Sequence, residues 1–130
     1  MRYLVDTDWV IDYMHGVRRV ADRIAALTPD GIGMSVVTLG ELVDGVYGDA
    51  DPQMSQRELD AFLQGVDLLD VDEEIARIFG RERRRLRVAG NLIGDMDLLI
   101  GATALRHGLT VLTNNRRHFE RIEGLAIESV

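Results

Sequence analysis

The sequence has no cysteine, no lysine and no long apolar run in its 130 residues. The missing cysteine excludes disulfide staples and thiolate metal sites, and it fits a reducing, cytoplasmic setting. The missing lysine makes every one of the 15 bases an Arg, whose planar fork suits carboxylate and phosphate oxygens. No apolar stretch approaches the roughly 18 residues of a membrane span. The opening MRYLVDTDWVIDYMHG places acids inside its apolar segment and lacks a small-residue cleavage site, so it is not read as a signal peptide. Repeats, low-complexity tracts and linkers are absent too, and residues 1–130 are expected to form one domain. A chain of this length buries roughly two-thirds of its unfolded surface. The net charge of -7, from 22 acids against 15 bases, argues against nonspecific binding to nucleic acid or anionic membranes while leaving room for a local basic patch.

What is present alternates between strand and helix signals. RYLV, residues 2–5, is a short apolar strand ending at Asp6. Helices are expected from about Asp8 to His15 and from Val17 to Leu27, with a turn at Pro29, Asp30 and Gly31. IGMSVV reads as a second strand and LGELVDGVYG as the start of a helix. DADPQM reads as a polar loop, followed by a helix that Ser55 and Glu58 open as an S-x-x-E capping box. VDLLDV is a third strand. Asp72 caps a long helix to about Ala89, with Glu73 and Glu74 in its positive first turn and Gly90 just past its end. A helix from Asp95, the strand LTVLT, a polar loop NNRRH and a strand near LAIES complete the chain.

The strands are apolar throughout rather than alternating, which suits a mostly parallel sheet covered on both faces. The expected fold is a three-layer α/β/α sandwich. Sites in such sheets form at the carboxyl ends of strands, where Asp6, the Thr38–Glu41 turn, Asp72 and Thr113–Asn115 stand.

The acids differ in what local structure asks of them. Asp6 follows Tyr3-Leu4-Val5 directly, and Thr7 and Asp8 can each cap the helix that begins there, so Asp6 is not needed as a cap. Glu41 has a direct local role as the acid of a T-x-x-E capping box with Thr38, stapled by Val37 and Leu42. It differs from Glu58 in following a strand end. Asp95 and Asp97 are two residues apart, so on a helix they point to roughly opposite sides. Asp95, after Gly94, reads as the cap. Asp97 heads a stripe with Gly101 and Ala104, whose small side chains allow a neighbouring segment close. An acid on such a face is costly without a partner, whether an Arg or a site shared with Asp6 and Glu41. Two carboxylates about 4 Å apart repel by roughly 4 kcal/mol at an effective dielectric of 20. Either one keeps its proton or a cation neutralises them. Oxygen donors favour a hard ion, Mg²⁺ or Mn²⁺. His15, His107 and His118 fall at or beyond helix ends and read as surface residues.

Four stretches in order then resemble the PIN-domain nucleases, most closely the VapC-type toxins of toxin–antitoxin pairs. They are YLVDTDWVIDYM, SVVTLGELVDGV, IGDMDLLIGATAL and TNNRRHFERIEGL. The third is similar to the family's I-G-x-x-D-x-L-I-A-A-x-A, with Asp97 at the acid. The resemblance implies a PIN-like fold and metal-dependent endonucleolytic cleavage of RNA. It implies that Asp6, Glu41 and Asp97 are catalytic, with Asp6 and Asp97 holding Mg²⁺ directly, or Mn²⁺ as a substitute. Glu41 would bind through a water or position the attacking one. Asn115, with Thr113 nearby, would orient the outer sphere. It stands where many members carry a fourth acid, and Asp95 either caps or partly replaces that charge.

Partners implied are RNA, a cognate VapB-type antitoxin that wraps the toxin and blocks its site, and a second copy in a homodimer. Arg116 and Arg117, next to Asn115, are candidates for phosphate contact. Glu73–Arg77 and Glu82–Arg85 can pair along their helix, leaving Arg81, Arg83, Arg84 and Arg87 freer. Trp9, Tyr13, Met14 and Tyr47 are candidates either for an apolar surface or for the core. Two other functions fit parts of the pattern. A phosphorylatable receiver domain resembles the layout but relies on a Lys, and none exists here. An inactive interaction module would use the acids as caps and ion pairs.

Overall fold

The computed structural model describes residues 1–130. Its strands are β1 (Tyr3–Val5), β2 (Ile32–Ser35), β3 (Asp67–Leu69), β4 (Thr110–Leu112) and β5 (Ile127–Glu128). They form one sheet in the order β3-β2-β1-β4-β5, and every neighbouring pair is parallel. The helices are α1 (Thr7–Met14), α2 (Arg18–Leu27), α3 (Val36–Tyr47), α4 (Pro52–Leu63), α5 (Glu73–Val88), α6 (Asp95–His107) and α7 (Arg116–Phe119), with a 3-10 turn at Thr28–Asp30.

Alternate residues of β1 and β4 feed two cores, one on each face of the sheet. Val5, Ile32, Met34 and Leu112 pack with Trp9, Val10, Val20, Ile24, Leu42, Val46 and Leu59 from α1 to α4. Leu4 and Val111 point the other way, onto Leu86, Leu98, Ile100, Ala104 and Phe119 from α5 to α7. This is the three-layer arrangement expected for apolar strands in a covered parallel sheet. Trp9 is fully buried and therefore core, while Tyr47 is 78% exposed. The small stripe on α6 does bring a segment close: a Cβ at Gly101 would collide with the side chain of Ile122.

Helix starts depart from the capping signals read in the sequence. The last two residues of IGMSVV belong to α3, and Ser35 is its cap, accepting from Val37 N–H at 3.0 Å. Thr38 and Glu41 are therefore inside the helix and form no capping box. Likewise α4 begins at Pro52 with Asp51 as its cap, and Ser55 instead donates to Asp49 at 2.5 Å. Asp72 does cap α5, at 2.8 Å from Ile75 N–H, and Gly90 follows the helix at φ +73°. The segment NNRRH is not all loop, because Arg116 opens α7.

β1 is the centre of the sheet and the point at which its order reverses: the chain leaves β1 for β2 on one side, and β4 pairs on the other. Such a switch point opens a crevice at the carboxyl ends of the strands. Val5 lies opposite Leu112, so the next residues along, Asp6 and Thr113, face each other there.

Candidate active site

Asp6 stands at the N-cap of α1 in extended conformation, yet its side chain makes no capping hydrogen bond. Its backbone N–H continues the ladder to Leu112 O at 3.0 Å. The carboxylate is only 4% exposed and accepts one side-chain hydrogen bond, from Thr113 Oγ1 at 2.8 Å. Burial, and next the negative charge of Asp8, push its pKa up to about 7; Asp97 pushes the same way. The Thr113 hydrogen bond pulls it down but is outweighed.

Around it lie the ends of several other elements. Thr113 Oγ1 accepts from Asn115 N–H at 3.0 Å. Asp8, two residues into α1, accepts from Asn114 N–H at 3.0 Å, and its oxygens stand 3.3 and 3.4 Å from Thr113 Oγ1. Asp97, in the first turn of α6, lies 2.8 Å from His118 Nδ1 and 3.3 Å from Asn115 Nδ2. His118 Nδ1 also stands 3.0 Å from Asn115 Nδ2, so Asp97, Asn115 and His118 form one cluster of polar contacts. Glu41, on α3, accepts from Thr7 Oγ1 at 2.7 Å. The hydroxyl of Thr38, one turn before Glu41 on the same helix face, is fully buried and is the only buried side-chain polar atom without a hydrogen-bond partner.

The structure thus brings Asp6, Asp97, Thr113 and Asn115 together at one edge, with Glu41 joined through Thr7. It does not close them into a ready-made cage, and no three Asp, Glu or His side chains stand at metal-holding separation. The physical reason is visible in their partners: each acid has turned to a local donor, Glu41 to Thr7 and Asp97 to His118, rather than to its like-charged neighbours. Asp95 is elsewhere. Gly94 occupies the N-cap of α6 with no side-chain cap, and Asp95 pairs with Arg83 Nε at 2.8 Å. It is neither the cap nor a member of the cluster, and Arg83 is not a free base.

Two residues that sequence reasoning set aside belong here. His118 is half-buried against Asp97, not a surface residue; the two are 21 positions apart, and only the fold of α7 joins them. Asp8 looked like a spare cap; its partners are 105 and 106 positions away. Arg116 pairs with Glu120 at 2.8 Å and also donates to Ser129. Arg117 is exposed beside it.

The donor set is hard oxygen, and no Arg pairs with Asp6, Asp8, Glu41 or Asp97. A buried carboxylate whose pKa is raised, with other acids beside it, fits a divalent cation of the Mg²⁺ or Mn²⁺ type. No helix is long and apolar enough to cross a membrane.

Comparisons with known proteins agree with this geometry. The family model described as PIN domain matches residues 3–125. Ribonuclease VapC1 of Haemophilus influenzae (strain R2866) is 32% identical over 127 residues, covering 96% of this chain and 95% of that protein. The tRNA(fMet)-specific endonuclease VapC of Salmonella typhimurium is 36% identical over 128 residues, covering 98% and 97%. Among solved structures, VapBC2 from Rickettsia felis, bound to a DNA fragment from its promoter, superimposes with a TM-score of 0.94 at 28% identity, over 100% of this chain and 99% of that one.

Proposed function

The chain belongs to the PIN-domain family, and we propose that it is a divalent-cation-dependent endoribonuclease, the toxin of a VapC-type toxin–antitoxin pair, with its centre at Asp6, Asp97 and Glu41. The ribonuclease activity follows from relatives that match over nearly their whole length. The observation that carries the choice of residues is Asp6: buried, ringed by acids, without a cationic side chain, at the switch point of the sheet.

Asp6 and Asp97 would hold the ion. The chemistry such an ion supplies is charge neutralisation at the phosphate and acidification of a water. Thr113 fixes the orientation of the Asp6 carboxylate, and Asn115 with His118 fixes that of Asp97. Glu41, which accepts from Thr7, would bind the ion through a water or position the attacking one. The N-terminus of α6 contributes partial positive charge beside Asp97. Arg117 and Arg116 stand on the same edge as candidates for the phosphates of RNA; Arg116 would exchange its Glu120 pairing for that contact.

A cognate antitoxin is the second partner. A cleft of about 250 Å³, with Ile11, Met14, Leu42 and Val46 on its apolar wall and Glu41, Asp49 and Glu58 on its acidic one, opens beside the site. It suits an apolar antitoxin segment that ends at the acids.

The neutral Asn115 and the open arrangement of the acids favour the rival reading of an inactive interaction module. Single Asp6→Asn and Asp97→Asn variants decide, with RNA cleavage followed in Mg²⁺. Both are expected to lose cleavage. Cleavage at the parent rate by both would overturn the assignment.

A further inference from the structure

We propose that Asp8 is an additional cation-binding residue, supplying the negative charge that Asn115 does not. The inference rests on the cation-dependent reading above. Thr113 sits between two carboxylates and has one proton to give. Asp6 at 2.8 Å takes it, and Asp8 at 3.3 and 3.4 Å is left without it. Asp8 Oδ2 keeps the Asn114 N–H, while Oδ1 has no other donor in the chain.

An acceptor wanted only to hold Asn114 N–H would serve as well if neutral. Asn would accept the same hydrogen bond without repelling Asp6. The α1 helix does not need the charge as a cap either, since Asp8 lies inside it. No Arg approaches Asp8. The Asn114 N–H and the first turn of α1 offset part of that repulsion, but no side-chain cation stands against Asp8, and a bound cation would neutralise it together with Asp6. Asn115 touches Asp97 but adds no charge, so Asp8 makes the count of acids on this edge four rather than three. The Thr38 hydroxyl, one helical turn before Glu41 on α3, is fully buried and has no hydrogen-bond partner.

The test is Mn²⁺ affinity by isothermal calorimetry on the folded protein, without RNA. Asp8→Asn keeps the acceptor for Asn114 N–H and removes the charge. It is expected to weaken Mn²⁺ by roughly tenfold or more. Asn115→Asp in the Asp8→Asn background returns a carboxylate to the same edge and should recover most of the loss. Asp8→Gln, which also retains an amide oxygen as acceptor, stands in if Asp8→Asn does not fold. Unchanged Mn²⁺ affinity in whichever neutral variant folds would overturn the proposal. Asp97→Asn in the same titration separates the two levels of inference. If Asp97→Asn also binds as the parent does, the cation reading itself fails. If it loses the ion while Asp8→Asn does not, only the role of Asp8 falls.

Discussion

Two carboxylates, Asp6 and Glu82, are equally buried at 4% exposure and live in opposite surroundings. Glu82, on α5, receives Arg85 through two hydrogen bonds of 3.0 and 2.8 Å and the Glu123 N–H at 3.1 Å. Arg85 goes on to donate to Arg121 O at 2.8 Å. These donors hold the Glu82 carboxyl below its ordinary value, with the Arg85 hydrogen bond the largest cause. Asp6 has one hydroxyl, the Thr7 backbone N–H and two acids for company, and its pKa moves the other way. The same chemical group, with equally little surface exposed but set deeper at Asp6, is satisfied where it ties α5 to the closing segment and less so at the switch point of the sheet. An acid that folding alone required would be matched as Glu82 is. The mismatch at Asp6 is the one that the proposed cation would relieve.

The largest separation between the two should appear in activity. Asp6→Asn is expected to lower RNA cleavage in Mg²⁺ by at least roughly a hundredfold, the upper range for perturbing even the outer sphere of a metal site. Glu82→Gln should cleave normally per folded molecule. Equal losses in the two variants would erase the functional distinction. Next in size is stability. Glu82→Ala leaves Arg85 and the Glu123 N–H without their acceptor, and breaking a buried pair costs about 3–5 kcal/mol. Because Arg85 is itself 40% exposed, the expected loss is at the low end, about 3 kcal/mol. Asp6→Asn in ion-free buffer should lose nothing and can gain, since it removes a repelled charge. Urea melts of the two variants side by side check both signs.

A divalent ion sharpens the contrast by a similar but smaller amount. At a hundred times its dissociation constant, a ligand that binds only the folded state adds about 2.7 kcal/mol. Mg²⁺ should raise the melting temperature of the parent and of Glu82→Gln, but not that of Asp6→Asn. An inactive module built of caps and ion pairs would show no rise in any of them.

Much of this comparison was legible before the fold. Apolar runs gave the strands and the parallel sheet, and four spaced motifs placed Asp6, Glu41 and Asp97. The helix starts were misread for one reason. An S/T-x-x-E spacing is also the i, i+3 spacing of any helix face, so Thr38–Glu41 and Ser55–Glu58 carry the signature from inside their helices. The working caps, Ser35 and Asp51, sit three and four residues upstream. Asp95 failed as a cap because Gly94 already supplies the extended backbone and Arg83 draws the side chain outward. His118 and Asp8 were out of reach for a different reason. Their partners lie in remote segments that meet only at the strand ends, and nothing in the local pattern around either residue records that meeting.

The smallest effect, read per pH unit, is the dependence of stability on pH, and its sign differs between the two carboxylates. Asp6 ionises near 3.8 in the unfolded chain and at about 7 in the native one. Between those values the native state holds a proton that the unfolded state has lost. Its contribution is therefore fully present below pH 3.8 and drains away as pH rises to about 7. The slope is at most about 1.4 kcal/mol per pH unit. Glu82 is the reverse: its stabilisation is present above 4.5 and is lost as pH falls through its lowered native value. Ion-free melts should thus show Asp6→Asn flattening the decline between pH 4 and 7, and Glu82→Gln flattening only the acid limb. Saturating Mg²⁺ should flatten the neutral limb of the parent in the same way, because a carboxylate that holds a cation has already given up its proton. If Asp6→Asn keeps the parent's neutral slope, the proton is held elsewhere on this edge, and Asp6 is not the acid that sets it apart from Glu82.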